Sequence, residues 1–188
     1  MELRPMSAEP LPAFRYHPDP IATGSVVPSD RVCQCCGSAR GFIYTGPTYA
    51  YADLENGLCP WCIAGGTAHQ KFDASFTELD SIGDRGTWPA VPMEVAEAVA
   101  FRTPGFQGWQ QERWFTCCAD AGAFLGPKGR LELEDAGEVA LTAIREESGY
   151  EGAAWEEYLD ALNRDFGPTA YLFRCLHCGR LGGYSDFT

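Results

Sequence analysis

Cys33-Gln34-Cys35-Cys36-Gly37 and Cys59-Pro60-Trp61-Cys62 decide how this chain is read. Each stretch leaves two residues between paired cysteines, and a turn of that length aims both sulfurs and several backbone N–H groups at one point. Twenty-two residues separate Cys36 from Cys59, slightly more than the common zinc-site template and compatible with it. Two unrelated buried or redox pairs are the plainer reading. The doubled spacing favours tetrahedral zinc held by Cys33, Cys36, Cys59 and Cys62.

The residues between the pairs support that geometry. Gly37 follows the first knuckle, where a left-handed residue lets the chain turn back. The runs Phe42-Ile43-Tyr44 and Thr48-Tyr49-Ala50-Tyr51 flank Thr45-Gly46-Pro47, and together they predict a hairpin. After Cys62 a helix is expected over residues 63–76, weakened by Gly65 and Gly66. Knuckle, hairpin and knuckle at a helix start is the order of a treble clef. The helix N-terminus also favours the thiolate form of Cys59 and Cys62.

The 188 residues suit one sizeable domain or two small ones, and 45% hydrophobic residues suffice for a core. With net charge −12, the chain is a poor match for nucleic acid held by general phosphate attraction or for an anionic membrane surface. An unidentified protein partner or a small ligand fits better. No apolar run approaches the roughly eighteen residues of a membrane span. Nine cysteines without a signal pattern suit metal in a reducing compartment, so the expectation is cytoplasmic.

Along the chain, residues 1–13 are Pro-rich and expected loose, and Phe14 to Pro20 reads as an extended arm. His17 within it reads as a ligand or, more plainly, as a half-buried ring. A polar connection spans residues 77–92, followed by a short helix over 93–101 with Val95, Ala98, Val99 and Phe101 facing the core. Trp109, Trp114 and Phe115 read first as core, with Gln110 and Gln111 as a candidate ligand-facing pair beside Trp109. Phe124-Leu125-Gly126-Pro127 reads as a turn. A charged helix over 131–147 has Val139, Leu141 and Ile144 as its apolar side. A second helix, over 154–166, carries Tyr158, Leu159 and Leu162.

Near the C-terminus a strand, the knuckle Cys175-Leu176-His177-Cys178-Gly179 and a returning strand over 184–187 make half a zinc ribbon. Cys117, Cys118 and Asp120 are the available donors for the other half. Because adjacent cysteines rarely reach one metal together without strain, Cys118 with either Cys117 or Asp120 is the preferred completion. A free thiol pair at Cys175 and Cys178 is the plainer alternative. Two zinc ions are therefore expected. The fold class is α+β, with small zinc-stabilised β modules packed with several helices. The N-terminal module spans 14–76, and the C-terminal module spans 93–188 with a helical insertion at 131–166.

The order Tyr16-His17-Pro18-Asp19-Pro20, Cys33-x-x-Cys36, Tyr44-x-Gly46-Pro47, Cys59-Pro60-Trp61-Cys62-Ile63, Arg102-Thr103-Pro104-Gly105-Phe106, Trp109-Gln110 and Phe173-Arg174-Cys175-Leu176-His177-Cys178-Gly179 resembles the CbrC family of bacterial proteins, named for tolerance to a colicin. The resemblance runs from about residue 12 to the end. It implies a bacterial cytosolic protein with a single domain over 14–188. The chain departs from that family at one place. Where the family pattern resembles His-Cys-Gly-Asp-x-Cys, this sequence has Cys117-Cys118-Ala119-Asp120-Ala121-Gly122, which leaves the fourth ligand of the second site open.

Several functions fit these residues. A closed four-cysteine site supports folding rather than chemistry, which points to a non-catalytic interaction or adaptor protein. A zinc-dependent hydrolase acting on a small molecule or nucleotide would need an open position on Cys118, Cys175 and Cys178, with Asp120 as base. No His-x-Glu precedes these cysteines, and His69 is a distant substitute. Thioredoxin-like redox chemistry at Cys59 and Cys62 is disfavoured by the presence of Cys33 and Cys36. Sequence-specific nucleic-acid binding is disfavoured by the acidic charge.

Overall fold

The computed structural model describes residues 9–83 and 87–187; the expectation for residues 1–8 and, within the polar connection expected over 77–92, residues 84–86 lie outside them. The fold is α+β, with small antiparallel sheets and short helices. In the N-terminal part β1 (Val26–Pro28) pairs with β2 (Phe42–Tyr44). Two short helices follow, α1 (Pro60–Ala64) and α2 (Thr67–Phe72). They replace the single helix expected there, because the chain breaks at Gly65 and Gly66.

The predicted hairpin is corrected as well. Phe42–Tyr44 pairs with Val26–Pro28, while Tyr49 bridges across to Ser75. Two tertiary contacts outweigh the turn signal at Gly46-Pro47. The Tyr44 hydroxyl donates to the Pro47 carbonyl at 2.7 Å, and a Cβ on Gly46 would lie 2.5 Å from the Tyr44 hydroxyl oxygen. The turn therefore wraps around the Tyr44 ring instead of returning the strand.

Helix α3 (Met93–Arg102) lies between the halves of the chain. Ala96, Val99 and Ala100 are fully inside, and Val95, Ala98 and Phe101 are half-buried at the edge of that core. A tight hairpin, β3 (Thr116–Cys117) and β4 (Asp120–Ala121), leads to β5 (Ala123–Lys128). Strand β5 occupies the stretch read as a turn at 124–127. Pairing with a neighbour overrides the Gly-Pro signal, and Pro127 is tolerated because β5 is an edge strand. The register slips between Phe124 and Gly126, which absorbs the irregularity.

Helices α4 (Arg130–Ala136), α5 (Glu138–Ser148) and α6 (Gly152–Ala161) intervene before β6 (Thr169–Arg174) and β7 (Leu181–Asp186). The last sheet has the order β5-β6-β7, all antiparallel. The helix expected over 131–147 is two helices, split at Gly137 with φ 93°. That break resets the buried face to Ala140 and Ile144, leaving Val139 63% exposed instead of on the apolar side. Strand β7 begins three residues earlier than expected. Its glycine pair hides the strand in sequence and is required by packing: a Cβ on Gly182 would meet the Phe115 ring at 2.2 Å.

Among the described residues three apolar clusters fill the interior. One surrounds the first cysteine set, one stacks Phe106, Trp114, Phe124 and Phe173 beneath the last sheet, and one lies between that sheet and α4–α6. Among the described residues no helix is long and apolar enough to cross a membrane.

His17 joins the arm to this core. It is fully buried, with Nδ1 2.7 Å from the Pro104 carbonyl and Nε2 2.7 Å from the Thr23 hydroxyl. A carbonyl can only accept, so Nδ1 carries the proton and Nε2 accepts from Thr23. Burial lowers its pKa from 6.5 to about 4, against opposing contributions from Pro104 and Asp19. The unfolded state therefore takes up the additional proton between those values, and stability falls as pH drops from 6.5 toward 4, by about 3 kcal/mol in total. Denaturant unfolding at pH 7 and pH 5 should show about 2 kcal/mol of this loss in the wild type and a smaller loss in His17→Gln. Equal losses in the two proteins would assign the acid sensitivity elsewhere.

Candidate metal centres

The first centre is built from two turns facing each other. After Cys33 the chain makes a knuckle that Gly37 closes at φ 71°, with its N–H donating to the Cys33 carbonyl at 2.8 Å. Cys59 is the N-cap of α1, and Cys62 lies in its first turn. The sulfurs of Cys33, Cys36, Cys59 and Cys62 all fall within 4.8 Å of one another, with Cys33–Cys62 at 3.8 Å and Cys36–Cys59 at 3.9 Å. Three of the four residues are buried, and only Cys36 is exposed. Cys35 stays outside the set, and its carbonyl accepts from Lys71.

Without a cation this crowd of thiols is electrostatically divided. Hydrogen bonding from Cys59, with backbone N–H groups of the knuckle, outweighs burial and pulls Cys33 down to about 4. Burial pushes Cys62 up to about 12, and the neighbouring Cys33 holds Cys59 well above the thiol range. One thiolate is favoured and its neighbours resist ionisation. A divalent cation removes that conflict, because each coordinated sulfur then faces positive charge.

The second centre repeats the knuckle. Gly179, at φ 75°, donates to the Cys175 carbonyl at 3.1 Å, as Gly37 does to Cys33. Opposite it, the β3–β4 turn holds Cys118 and Ala119 both at positive φ, 55° and 56°. Such a left-handed pair turns a two-residue hairpin tightly. It brings the adjacent Cys117 and Cys118 sulfurs to 3.7 Å, and Cys117 lies 3.8 Å from Cys178. All four sulfurs of Cys117, Cys118, Cys175 and Cys178 lie within 4.8 Å of one another. The two adjacent cysteines share one centre through this backbone conformation, so Cys117 and not Asp120 joins Cys118 in the sulfur group. Gly122 packs against the Phe115 ring, where a Cβ would approach within 2.8 Å.

Asp120 has a different task. Its Oδ2 accepts from Arg15 at 2.6 Å and from His177 Nε2 at 2.8 Å. Its Oδ1 accepts from the Tyr16 hydroxyl at 2.8 Å and from the Ala121 N–H at 2.9 Å. Burial would raise its pKa, but Arg15, Tyr16 and His177 together hold it below the usual carboxylate range. The carboxylate therefore ties the arm, the hairpin and the C-terminal knuckle together around the second set. Arg15 and His177 were missed as site residues, although both stand inside or beside the motifs quoted above. His69 stacks on Phe101 with ring centroids 3.8 Å apart and belongs to neither sulfur group.

The candidate ligand-facing residues divide. Trp109 is 40% exposed, and its Nε1 donates to Thr169 at 2.9 Å. Gln110 donates from its side chain to the Phe187 carbonyl, and Gln111 to Tyr49 and Glu112. Both amides thus brace the fold. Glu112, beneath them, is a buried carboxyl that sequence reasoning did not single out. Burial raises its pKa, and its Oε1 has no partner among the described residues.

Residues 11–187 match the family described as "Uncharacterised protein family (UPF0167)". The chain belongs to the UPF0167 family. A UPF0167 protein of Mycobacterium bovis is 48% identical over 183 residues, covering 94% of each chain. One from Pseudomonas aeruginosa is 44% identical over 180 residues, covering 95% of this chain and 98% of its own. No solved structure matches this UPF0167 chain.

The two sulfur sets differ in accessibility. Cys118 and Cys178 of the second set are exposed and Cys117 is half-buried, whereas the first set exposes only Cys36. A chelator titration of metal-loaded protein, followed by a chromogenic metal indicator, should strip one ion per chain ahead of the other. Cys118→Ser should abolish the early phase. A single phase unchanged by Cys118→Ser would mean that burial does not control release.

Proposed function

We propose that this protein is a zinc-stabilised, non-catalytic binding protein, with one structural zinc on Cys33, Cys36, Cys59 and Cys62 and a second on Cys117, Cys118, Cys175 and Cys178. The observation that carries the reading is the gathering of four sulfurs at each centre. Four thiolates complete the tetrahedron that zinc prefers, and a completed tetrahedron leaves no position for substrate. All-sulfur donors also select zinc over magnesium or calcium, which take oxygen ligands. Recognition is assigned to the surface around Trp109, whose ring is held but partly exposed.

A hydrolase using an open metal position and Asp120 as base is supported less well. All four hydrogen bonds at Asp120 are taken by internal donors, so a water would have to displace one of them. Placement in the cytoplasm is part of the proposal, supported by nine free cysteines, which suit a reducing compartment. A role in colicin tolerance or a stress response rests on the resemblance to the CbrC family alone.

Structural zinc in small sites contributes roughly 10–16 kcal/mol of apparent binding energy, more than the usual net stability of a domain. Metal analysis of protein purified without chelators should give close to two zinc ions per chain. Cys59→Ser should lose one zinc and unfold the N-terminal part, whereas Cys35→Ser should retain both ions and the wild-type circular dichroism. Absence of zinc, or equal losses in the two variants, would sink the assignment.

A further inference from the structure

The chain carries 14 Lys and Arg residues against 26 Asp and Glu, so an unpaired cation facing a recess calls for an explanation. Arg15, Arg40, Arg113 and Arg130 each sit in an ion pair. Lys128, Arg164 and Arg174 form none among the described residues, yet all three line one recess of about 290 Å³ along the outer edge of β5. Lys128 stands at the end of β5 and Arg164 just beyond α6. Burial and then the Arg164 charge lower the Lys128 pKa, with Glu132 and Asp135 pulling the other way. Glu132 is engaged with the Gly129 N–H at 2.9 Å, and Asp19, across the recess, accepts from the Ala22 N–H at 3.0 Å. Arg164 donates one N–H to the Ala22 carbonyl at 3.1 Å. Two neighbouring cations that repel each other, Lys128 half-buried and Arg164 exposed, are stabilised by an anion placed between them.

Pro127 and Arg164 also line a second recess, of about 410 Å³, walled by Trp109, Thr169 and Tyr171. The two hollows are therefore neighbours, one offering aromatic walls and the other cations. Each is of the order expected for a small-molecule subsite. The bond from Trp109 Nε1 to Thr169 holds the ring in a set orientation before any ligand arrives. Asp165 lines the aromatic recess, where it would accept from a hydroxyl or amino group and repel a second anion.

We propose that this groove binds a small organic phosphate carrying a flat ring, of the nucleoside monophosphate class, with the ring against Trp109 and the phosphate between Lys128 and Arg164. The idea deepens the assignment of recognition to the Trp109 surface and is independent of the metal.

Calorimetry on the full-length, zinc-loaded protein with adenosine monophosphate as the probe tests it. Saturable binding is expected, with adenosine and inorganic phosphate each weaker by at least about tenfold, since each retains half of the contacts. Arg164→Ala, at an exposed position, and Lys128→Gln should each weaken binding by about tenfold, as should Trp109→Leu. Arg145→Ala, on the exposed face of α5, should leave it unchanged. No saturable binding of the monophosphate overturns the proposal, as does equal affinity in wild type and Arg164→Ala. Phosphate alone binding as tightly as the monophosphate also overturns it, because the ring would then contribute nothing. Zinc content measured on the same samples separates the two readings: binding lost with both zinc ions retained defeats the groove and leaves the metal assignment standing.

Discussion

Four sulfurs held within 4.8 Å of one another impose a constraint that the rest of this structure is arranged to meet. Thiols packed that closely repel as they ionise, and the metal-free tendency is for one to hold the charge while its neighbours keep their protons. Cys33 and Cys62, drawn in opposite directions at the first centre, illustrate this. On the zinc reading the metal converts that repulsion into the main cross-link of a region with little regular structure. Strands β1 and β2 have three residues each, and α1 has five. Elements so short bury too little apolar surface to be stable by themselves.

The second centre answers the same constraint with different means. The N-terminal knuckle faces a helix start, whereas the C-terminal knuckle faces a hairpin whose two central residues are left-handed. Asp120 then links this centre to the N-terminal arm through Arg15 and Tyr16. A carboxylate accepting four hydrogen bonds is a fixed point of the structure, so the arm's attachment and the knuckle's position are coupled. His17, one residue further along the arm, reaches the Pro104 carbonyl and Thr23 and secures the same segment on its other side.

Much of this was legible in the sequence because cysteine spacing reports local turn geometry. Both knuckles and the strand before Cys175 could be read from short-range signals, as could helical structure beside Cys62, though not its division into α1 and α2. The elements that escaped are those fixed by distant partners. Pro28 hides β1, since proline is tolerated only at a sheet edge, and Gly126-Pro127 disguises β5 for the same reason. The glycine pair in β7 looks like a break but admits the Phe115 ring. The side of α5 that is buried depended on where Gly137 cut the helix, and a single residue of phase exchanges Val139 for Ala140. Asp120 stands as an alternative to Cys117 for completing the second set, since both lie beside Cys118 in the sequence. Its actual partners lie 105 residues upstream at Arg15 and 57 downstream at His177, separations that no local pattern encodes.

The order of segments along the chain gives the two centres different histories during synthesis. All four cysteines of the first set have been made by residue 62, so that centre can close while most of the protein is still being translated. The hairpin carrying Cys117 and Cys118 must then wait through α4, α5 and α6, with its exposed thiols available to the surrounding redox chemistry, until Cys175 and Cys178 emerge. Strand β6 arrives only just before them and completes the pairing of β5. A ribosome stalled within the helical insertion would hold a nascent chain with one finished cluster and one half-built pair. A gathered second set thus reports that β6 has been made and is available to pair with β5, while β7 is still to follow.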